Sequence, residues 1–419
     1  MFDIITEIFT TIRRNKMRTA LTGFSVAWGI FILIVLLGAG NGLIHAFEMS
    51  SSECALNSIK VFPGWTSQAY DGLKAGRRIE LGNNDLVLTK EAFPDNVDEV
   101  GAWLHQGGCV VSYGNEYVSA DLDGYYPNVT KLESVKMLKG RFLNDIDINE
   151  RRKVAVIGDN AEGILFDGVD GGALGKFINV SGVVYKVVGV MKDENKGMQH
   201  QVAIPFTTLQ LIYDKGQFLN NYAFTTKGLE TEEANDAFEV ELRKVLGSEH
   251  RFAADDQGAV WFWNRMKQYL QTSVGMRMLH LAIWVIGIFT LLSGVVGVSN
   301  IMLITVKERT REFGIRKALG AKPHTILALV LAESVVITTF FGYIGMVAGI
   351  GVTELADSIL GQSTMDNGFG STTVFANPTV DLSIAIEATL TLVVSGTLAG
   401  FFPARKAVKI RPIEALRAE

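Results

Sequence analysis

The chain has 419 residues, of which 48% are hydrophobic and 20% are charged, and its formal net charge is −5. A mean hydropathy of +0.23 at that charge content is rare for a soluble protein, and the apolar residues gather in long charge-free runs near the two ends. No basic stripe with interleaved aromatic residues occurs, so nucleic acid is not an expected partner.

Residues 1–18 carry apolar side chains at helical spacing, which predicts an amphipathic helix along the cytoplasmic surface of the membrane. Residues 19–47 follow without a single Asp, Glu, Lys or Arg, and a run of that length predicts a first transmembrane helix. The run is about twice as long as the apolar part of a signal peptide and lacks an A-x-A-like cleavage site, which favours an uncleaved anchor.

Residues 48–277 are hydrophilic and predict a large extracytoplasmic domain of mixed α/β fold. Alternating or β-branched runs predict strands at 58–62, 153–157, 176–180, 183–190 and 201–204, and helical patterns cover 206–213 and 231–245. Residues near 80–140 are the expected insertion between two lobes. A further helix is predicted from Trp261 to Arg277.

Three more apolar runs predict the second, third and fourth transmembrane helices, at 278–306, 325–353 and 382–402. The predicted fold class is therefore a membrane protein. It has four transmembrane α-helices, with the large α/β domain inserted between the first and the second.

Basic residues in the short connecting segments predict the orientation. Four basic residues precede the first run, six lie in 307–324 and five lie in 403–419, whereas 354–381 holds none. Because Lys and Arg accumulate on the cytoplasmic side, both termini and the 307–324 loop are predicted to be cytoplasmic. The large domain and the 354–381 loop are then external.

The residue patterns that would indicate catalysis or a metal site are missing from the sequence. The six histidines lie far apart and show no H-E-x-x-H spacing, and no G-x-S-x-G nucleophile motif occurs. Residues 171–177 approach a phosphate-binding loop but carry Phe177 where a magnesium-binding hydroxyl should stand, so we interpret them as the start of a strand. Cys54 and Cys109 lie in the external domain, where a disulfide is permitted, and two buried thiols are the alternative.

Glu333 and Glu387 are the charged residues within the predicted spans. Intramembrane carboxylates often mark a proton or ion path. Each of these two lies within about two to three turns of the end of its span. That position favours a structural or interhelix role.

Residues 306–326 read VKERTREFGIRKALGAKPHTI. This segment resembles the signature loop of the FtsX-like permease family, in which a basic, glycine-containing stretch leads to a short coupling helix. The tail at 402–417, FPARKAVKIRPIEALR, resembles the C-terminal motif of the same family. Glu333 stands at the family's usual place in the third helix, and RRNKMRTALT at 13–22 is similar to the start of its first helix.

The external segment resembles the MacB-type periplasmic core domain. The matching residues are GRF at 140–142, Asp145 and Asp147, VAVIG at 154–158, GKFI at 175–178, VVGV at 187–190 and IP at 204–205.

The resemblance implies a non-catalytic permease of an ABC transporter in the bacterial inner membrane, with no cofactor of its own. ATP and Mg²⁺ are expected on a separate ATPase subunit, because the sequence begins only 18 residues before its first predicted span. Two permeases, identical or paralogous, are expected to bind two ATPase subunits. An efflux system would add a periplasmic membrane-fusion protein and an outer-membrane channel.

The 307–324 loop is the predicted contact with the ATPase, with a short helix expected from Arg316 to His324. The residues to which the family motif assigns coupling are Arg309, Arg311, Glu312, Gly314, Arg316, Lys317, Ala318, Gly320 and Ala321. The alternative is that the basic residues only determine topology.

The predicted function is the transmission of ATP-driven movement from the cytoplasm to the external domain for export. A lipoprotein-releasing permease and a non-transporting mechanotransmitter that regulates an envelope partner are the alternatives. A membrane-anchored enzyme is disfavoured, since the sequence shows no catalytic constellation.

Overall fold

The computed structural model describes residues 16–52, 55–133, 135–192, 200–360, 364–366, 371–373, 376–378 and 382–408. The chain divides into two compact units. We name the units after their predicted positions: the membrane unit comprises the described parts of 1–47, 275–364 and 373–419, and the external domain comprises those of 48–274 and 365–372. The predicted amphipathic helix at 1–18 lies, up to residue 15, outside the described residues.

The helices are α1 (Lys16–Ser52), α2 (Asn83–Ala92), α3 (Val129–Leu132), α4 (Asp145–Asn149), α5 (Asp159–Leu165), α6 (Phe206–Ile212), α7 (Glu232–His250), α8 (Arg265–Glu308), α9 (Thr310–Ala318), α10 (Pro323–Leu360) and α11 (Leu382–Val408).

The strands are β1 (Ser58–Pro63), β2 (Leu81–Gly82), β3 (Val97–Tyr113), β4 (Glu116–Tyr125), β5 (Met137–Gly140), β6 (Val154–Gly158), β7 (Phe177–Val180), β8 (Val183–Met191), β9 (His200–Pro205), β10 (Phe218–Leu219), β11 (Asn221–Thr226), β12 (Val260–Asn264), β13 (Thr364–Asp366) and β14 (Ser371–Thr373). Ten of them form one sheet in the order β12-β1-β11-β3-β4-β9-β6-β8-β5, with β7 paired to both β3 and β8.

Three helices of the described chain are long and apolar enough to cross a membrane. They are Thr19–Met49 within α1, the whole of α8, and Pro323–Ile359 within α10. A helix, α11, also forms where the fourth span is predicted, and its crossing of the membrane stays a prediction.

Glycines let the helices of the membrane unit approach closely. A side chain on Gly345 of α10 would overlap the carbonyl oxygen of Ala27 in α1, and one on Gly396 of α11 would overlap the hydroxyl of Thr338 in α10. Small residues at such crossings allow backbone-to-backbone packing in an apolar medium. These two positions therefore fix how near α10 lies to its neighbours.

The long hairpin of β3 and β4 lies in the middle of the ten-stranded sheet. β3 pairs with β4 along its length, with β11 along its first half and with β7 near its end. The prediction of an insertion near 80–140 was therefore wrong. The alternation of apolar and polar residues along β3 is interrupted because its pairing register with β4 shifts between Gln106 and Cys109. Gly108, at this shift, has a φ of +71°.

The predicted strands and the two predicted helices that follow them are confirmed as β1, β6, β7, β8, β9, α6 and α7. The helix predicted from Trp261 is wrong in its first part, because Trp261 and Trp263 lie on β12, which pairs with β1. Aromatic residues at alternate positions favour a strand. The helix α8 starts only at Arg265.

Two smaller predictions concern local chemistry. The 171–177 segment is the start of a strand, as predicted, since β7 begins at Phe177 after three glycines with positive φ. Cys109 is a buried, free thiol, and Cys54 lies outside the described residues.

Asp147 holds the turn that carries the GRF motif. Its carboxylate is fully buried and accepts hydrogen bonds from the Arg141 guanidinium at 2.6 and 3.2 Å and from the Asn144 backbone at 3.0 Å. The Asn144 side chain in turn caps α4 by accepting from the Asp147 backbone at 3.0 Å. The motif is thus a structural one.

Replacing Asp147 by Asn should lower the free energy of unfolding by about 2–3 kcal/mol, because a buried charged acceptor is lost and Arg141 is left without its carboxylate. The control is Asp145→Asn, an exposed residue of the same helix, which should change it by less than about 0.5 kcal/mol. Denaturant unfolding of the purified chain in detergent measures both. Equal effects of the two substitutions would refute this role of Asp147.

Candidate functional site

The segment between α8 and α10 folds as a short helix with sharply defined ends. Arg309 alone separates α8 from α9, which ends at Ala318. Gly320 has a φ of +94°, a left-handed conformation that ends helices. Pro323 begins α10, where its missing N–H costs nothing. The helix predicted at Arg316–His324 was placed too late, because Gly320 stops the helix rather than continuing it.

Arg309 joins α9 to α10 through two carboxylates. Its guanidinium donates to Glu312 at 2.9 and 3.1 Å and to Glu333 at 3.3 Å. The Glu333 side chain is 6% exposed and that of Arg309 is 16% exposed. A charge pair so shielded from water is costly to break, because the remaining partner is left buried and unpaired.

Two further contacts hold α9 in place. The Phe313 ring is buried within the apolar cluster of the membrane unit, and the Arg309 guanidinium lies 5.5 Å from its centroid. The Lys317 ammonium donates to the carbonyl of Val408 at 2.6 Å, at the end of α11. A cation at a helix C-terminus compensates the helix dipole, so this bond ties α9 to α11.

The outer side of α9 presents a face that we call the docking face, made of Arg311, Ile315, Ala318 and Leu319. Ile315 is 43% exposed and Leu319 is 83% exposed, and Arg311 and Ala318 are exposed beside them. Residues three or four apart share one side of a helix. Contiguous exposed apolar side chains occur at surfaces that contact a protein or a membrane.

The sequence prediction did not include Ile315 or Leu319. The sequence signal for them is their i, i+4 spacing among basic residues. A helix that starts at Arg316 leaves Ile315 outside it.

The structure separates the other predicted residues by position. Glu312 and Arg316 form an ion pair at 2.9 Å, Gly314 is buried and Ala321 is partly buried. Gly320 is exposed and ends α9. Glu387 is exposed on α11, and no described contact joins it to the loop.

Within the part of the chain that the structure describes, no group of three or more His, Cys, Asp or Glu residues is arranged to hold a metal ion. The site is a helix that buried charges fix on one side and that is exposed on the other.

Two family models match the chain. The MacB-like periplasmic core domain matches residues 19–243, more than half of the chain, and the FtsX-like permease C-terminal region matches residues 284–412.

Curated proteins match over the full chain. It is 28% identical over 429 residues to the macrolide export ATP-binding/permease protein MacB of Bdellovibrio bacteriovorus, covering 100% of this chain and 62% of that protein. It is 28% identical over 435 residues to the protein of the same name from Wolinella succinogenes, covering 100% of this chain and 61% of that protein. The chain thus spans about three fifths of the length of these relatives.

Among solved structures, the periplasmic region of MacB from Actinobacillus actinomycetemcomitans is 18% identical, with a TM-score of 0.42. The matched region covers 54% of this chain and 95% of the solved chain.

Replacing Glu333 by Ala should destabilise the membrane unit by about 3 kcal/mol, because Arg309 then loses its buried partner. Glu354→Ala, at an exposed position of the same helix, is the control and should have little effect. Thermal unfolding in detergent measures both. The double variant Arg309→Ala/Glu333→Ala should lose at least about 1 kcal/mol less than the sum of the single losses. Additive losses would show that the pair does not couple α9 to α10.

Proposed function

This chain belongs to the MacB/FtsX-like permease family of ABC transporters, and from that premise we propose that it is the permease subunit whose external domain is driven by ATP hydrolysis in a partner. The docking face of α9 is the observation that carries the proposal. It combines two exposed aliphatic side chains with a helix that buried charges hold against α10.

The ATPase partner would bind the docking face through Ile315 and Leu319, with Arg311 adding a charge-assisted contact at the rim. ATP and Mg²⁺ are bound by that partner in this proposal. Four of the other predicted coupling residues position α9 through ion pairs and hydrogen bonds. They are Arg309, Glu312, Arg316 and Lys317.

Movement of α9 would be passed on through α8. This helix has 44 residues, about 66 Å at 1.5 Å per residue. It begins directly after β12, which pairs with β1 at the edge of the large sheet. A continuous helix transmits displacement without a flexible joint, so a push at Glu308 would reach the external domain.

The wider assembly follows the same proposal. Two permeases, identical or paralogous, would form a dimer in the bacterial inner membrane with both termini in the cytoplasm and the external domain in the periplasm. Export would start from the periplasmic side, with a membrane-fusion protein and an outer-membrane channel receiving the substrate. The macrolide export named for the relatives supports efflux as the activity to test first.

Replacing Leu319 by Asp should weaken binding of the ATPase subunit about tenfold or more, because burying a leucine contributes about 2 kcal/mol and a buried carboxylate adds a further cost. Biolayer interferometry with the purified ATPase subunit measures the dissociation constant. The matched control is Leu211→Asp, a leucine that is also largely exposed, at 61%, on α6 of the external domain, and it should bind as the parent chain does. Unchanged binding by the Leu319 variant would reject the docking face.

A further inference from the structure

The external domain contains a cavity of about 390 Å³ on one face of the ten-stranded sheet, beside α3. On β1, Ile59 and Val61 point into the main core, whereas the alternate residues Lys60 and Phe62 line the cavity. Successive side chains of a strand point to opposite faces, so the cavity lies on the face away from that core. Its volume falls within the range of about 300–1,000 Å³ that is typical of small-molecule sites.

Aromatic side chains form the walls of this cavity: Phe62, Trp103, Tyr125, Phe142 and Trp263. Two of them are held by the buried carboxylate of Asp123 and by Gln201. The Trp103 indole donates to Asp123 at 3.1 Å, and the Gln201 amide donates to Asp123 at 2.9 Å and to the Tyr125 hydroxyl at 3.0 Å. The polar ends of both rings are thus satisfied, and the ring positions are set before any ligand arrives.

The charged groups of the lining favour an anion. Among the described lining residues, the charged ones are Lys60, Lys136 and Lys192 against one carboxylate, that of Glu133. Burial by itself raises the pKa of Glu133, but the charges of Lys60 and Arg265 outweigh it and hold this pKa below its usual value. Glu133 is therefore ionised at neutral pH, and its charge is already matched by Lys60 and Arg265.

Lys136 and Lys192 lie next to each other at the rim. The backbone N–H of Lys192 donates to the carbonyl of Lys136 at 2.8 Å, and both side chains are exposed. Asn128, also in the lining, has a buried amide whose nitrogen and oxygen find no hydrogen-bond partner among the described residues. A buried polar group in that state is costly, and a polar ligand that reaches it removes the cost.

We propose that this cavity binds a small organic anion with an aromatic body, the rings packing against the body and Lys192 contacting the anionic group. Stacking on aromatic walls and charge-assisted hydrogen bonds at the rim supply the affinity. This site lies apart from the docking face in sequence and in unit, and binding to it needs no ATPase.

Isothermal titration calorimetry of the full chain in lipid nanodiscs, without the ATPase and against empty nanodiscs as blank, tests the proposal. The probes are 2-naphthoate, 2-naphthyl phosphate, the neutral 2-naphthamide and the cationic 2-naphthylmethylammonium. At least one of the two anions should bind about tenfold more tightly than the amide, and the cation should not bind. The tighter anion identifies the preferred acidic group. Equal affinity for anion and cation would overturn the proposal, as would no binding of either anion.

Lys192→Gln should weaken binding of the anion about tenfold and leave the amide unaffected. Lys186→Gln, an exposed lysine on β8, the strand that ends directly before Lys192, is not part of the lining; it is the matched control and should bind as the parent does. Val135→Trp, which fills the cavity from its lining, should abolish binding. Because Lys192→Gln changes only an exposed side chain, it remains decisive even if Val135→Trp lowers the melting temperature. If the Lys192 variant bound the anion as tightly as the parent chain, the probe would bind outside this cavity and the proposed site would be rejected. The proposed permease function does not depend on that result.

Discussion

The ion pair between Arg309 and Glu333 is the interaction on which the α8–α10 end of the membrane unit depends. A carboxylate buried among apolar helices is stable only when it is paired, and the pairing requires α9 to lie against α10. The orientation of α9 follows from this constraint: Phe313 turns inwards, and Ile315 and Leu319 turn outwards. One buried charge thus sets which face of α9 is exposed.

Much of this architecture could be predicted from the sequence. The apolar runs gave three helices long enough to span a membrane, alternation located β1, β6, β7, β8 and β9, and the motifs identified the family that the two models confirm. These signals are local, since each depends on a periodicity or a residue order within a single segment. The long strand β3 escaped notice because the register shift beside Gly108 breaks its alternation.

The arrangement of the site could not be predicted in the same way. Arg309 and Glu333 are 24 residues apart, and they meet only because Gly320 and Pro323 reverse the chain between α9 and α10. The cavity of the external domain is assembled from β1, β3, β4, β8, β9, β11, β12 and the α3 segment. Residues so distant in sequence become neighbours through sheet order, which alternation along single strands does not specify.

The central claim is that the docking face of α9 contacts the ATPase, and photo-crosslinking tests it most directly. A photoreactive amino acid would replace Leu319 or Ile315 in the full chain, and Leu211 of the external domain as control, in membranes that contain the ATPase subunit. Crosslinks to the ATPase should form from positions 319 and 315 and not from position 211. An intact complex that gives no crosslink from 319 or 315 would contradict the account.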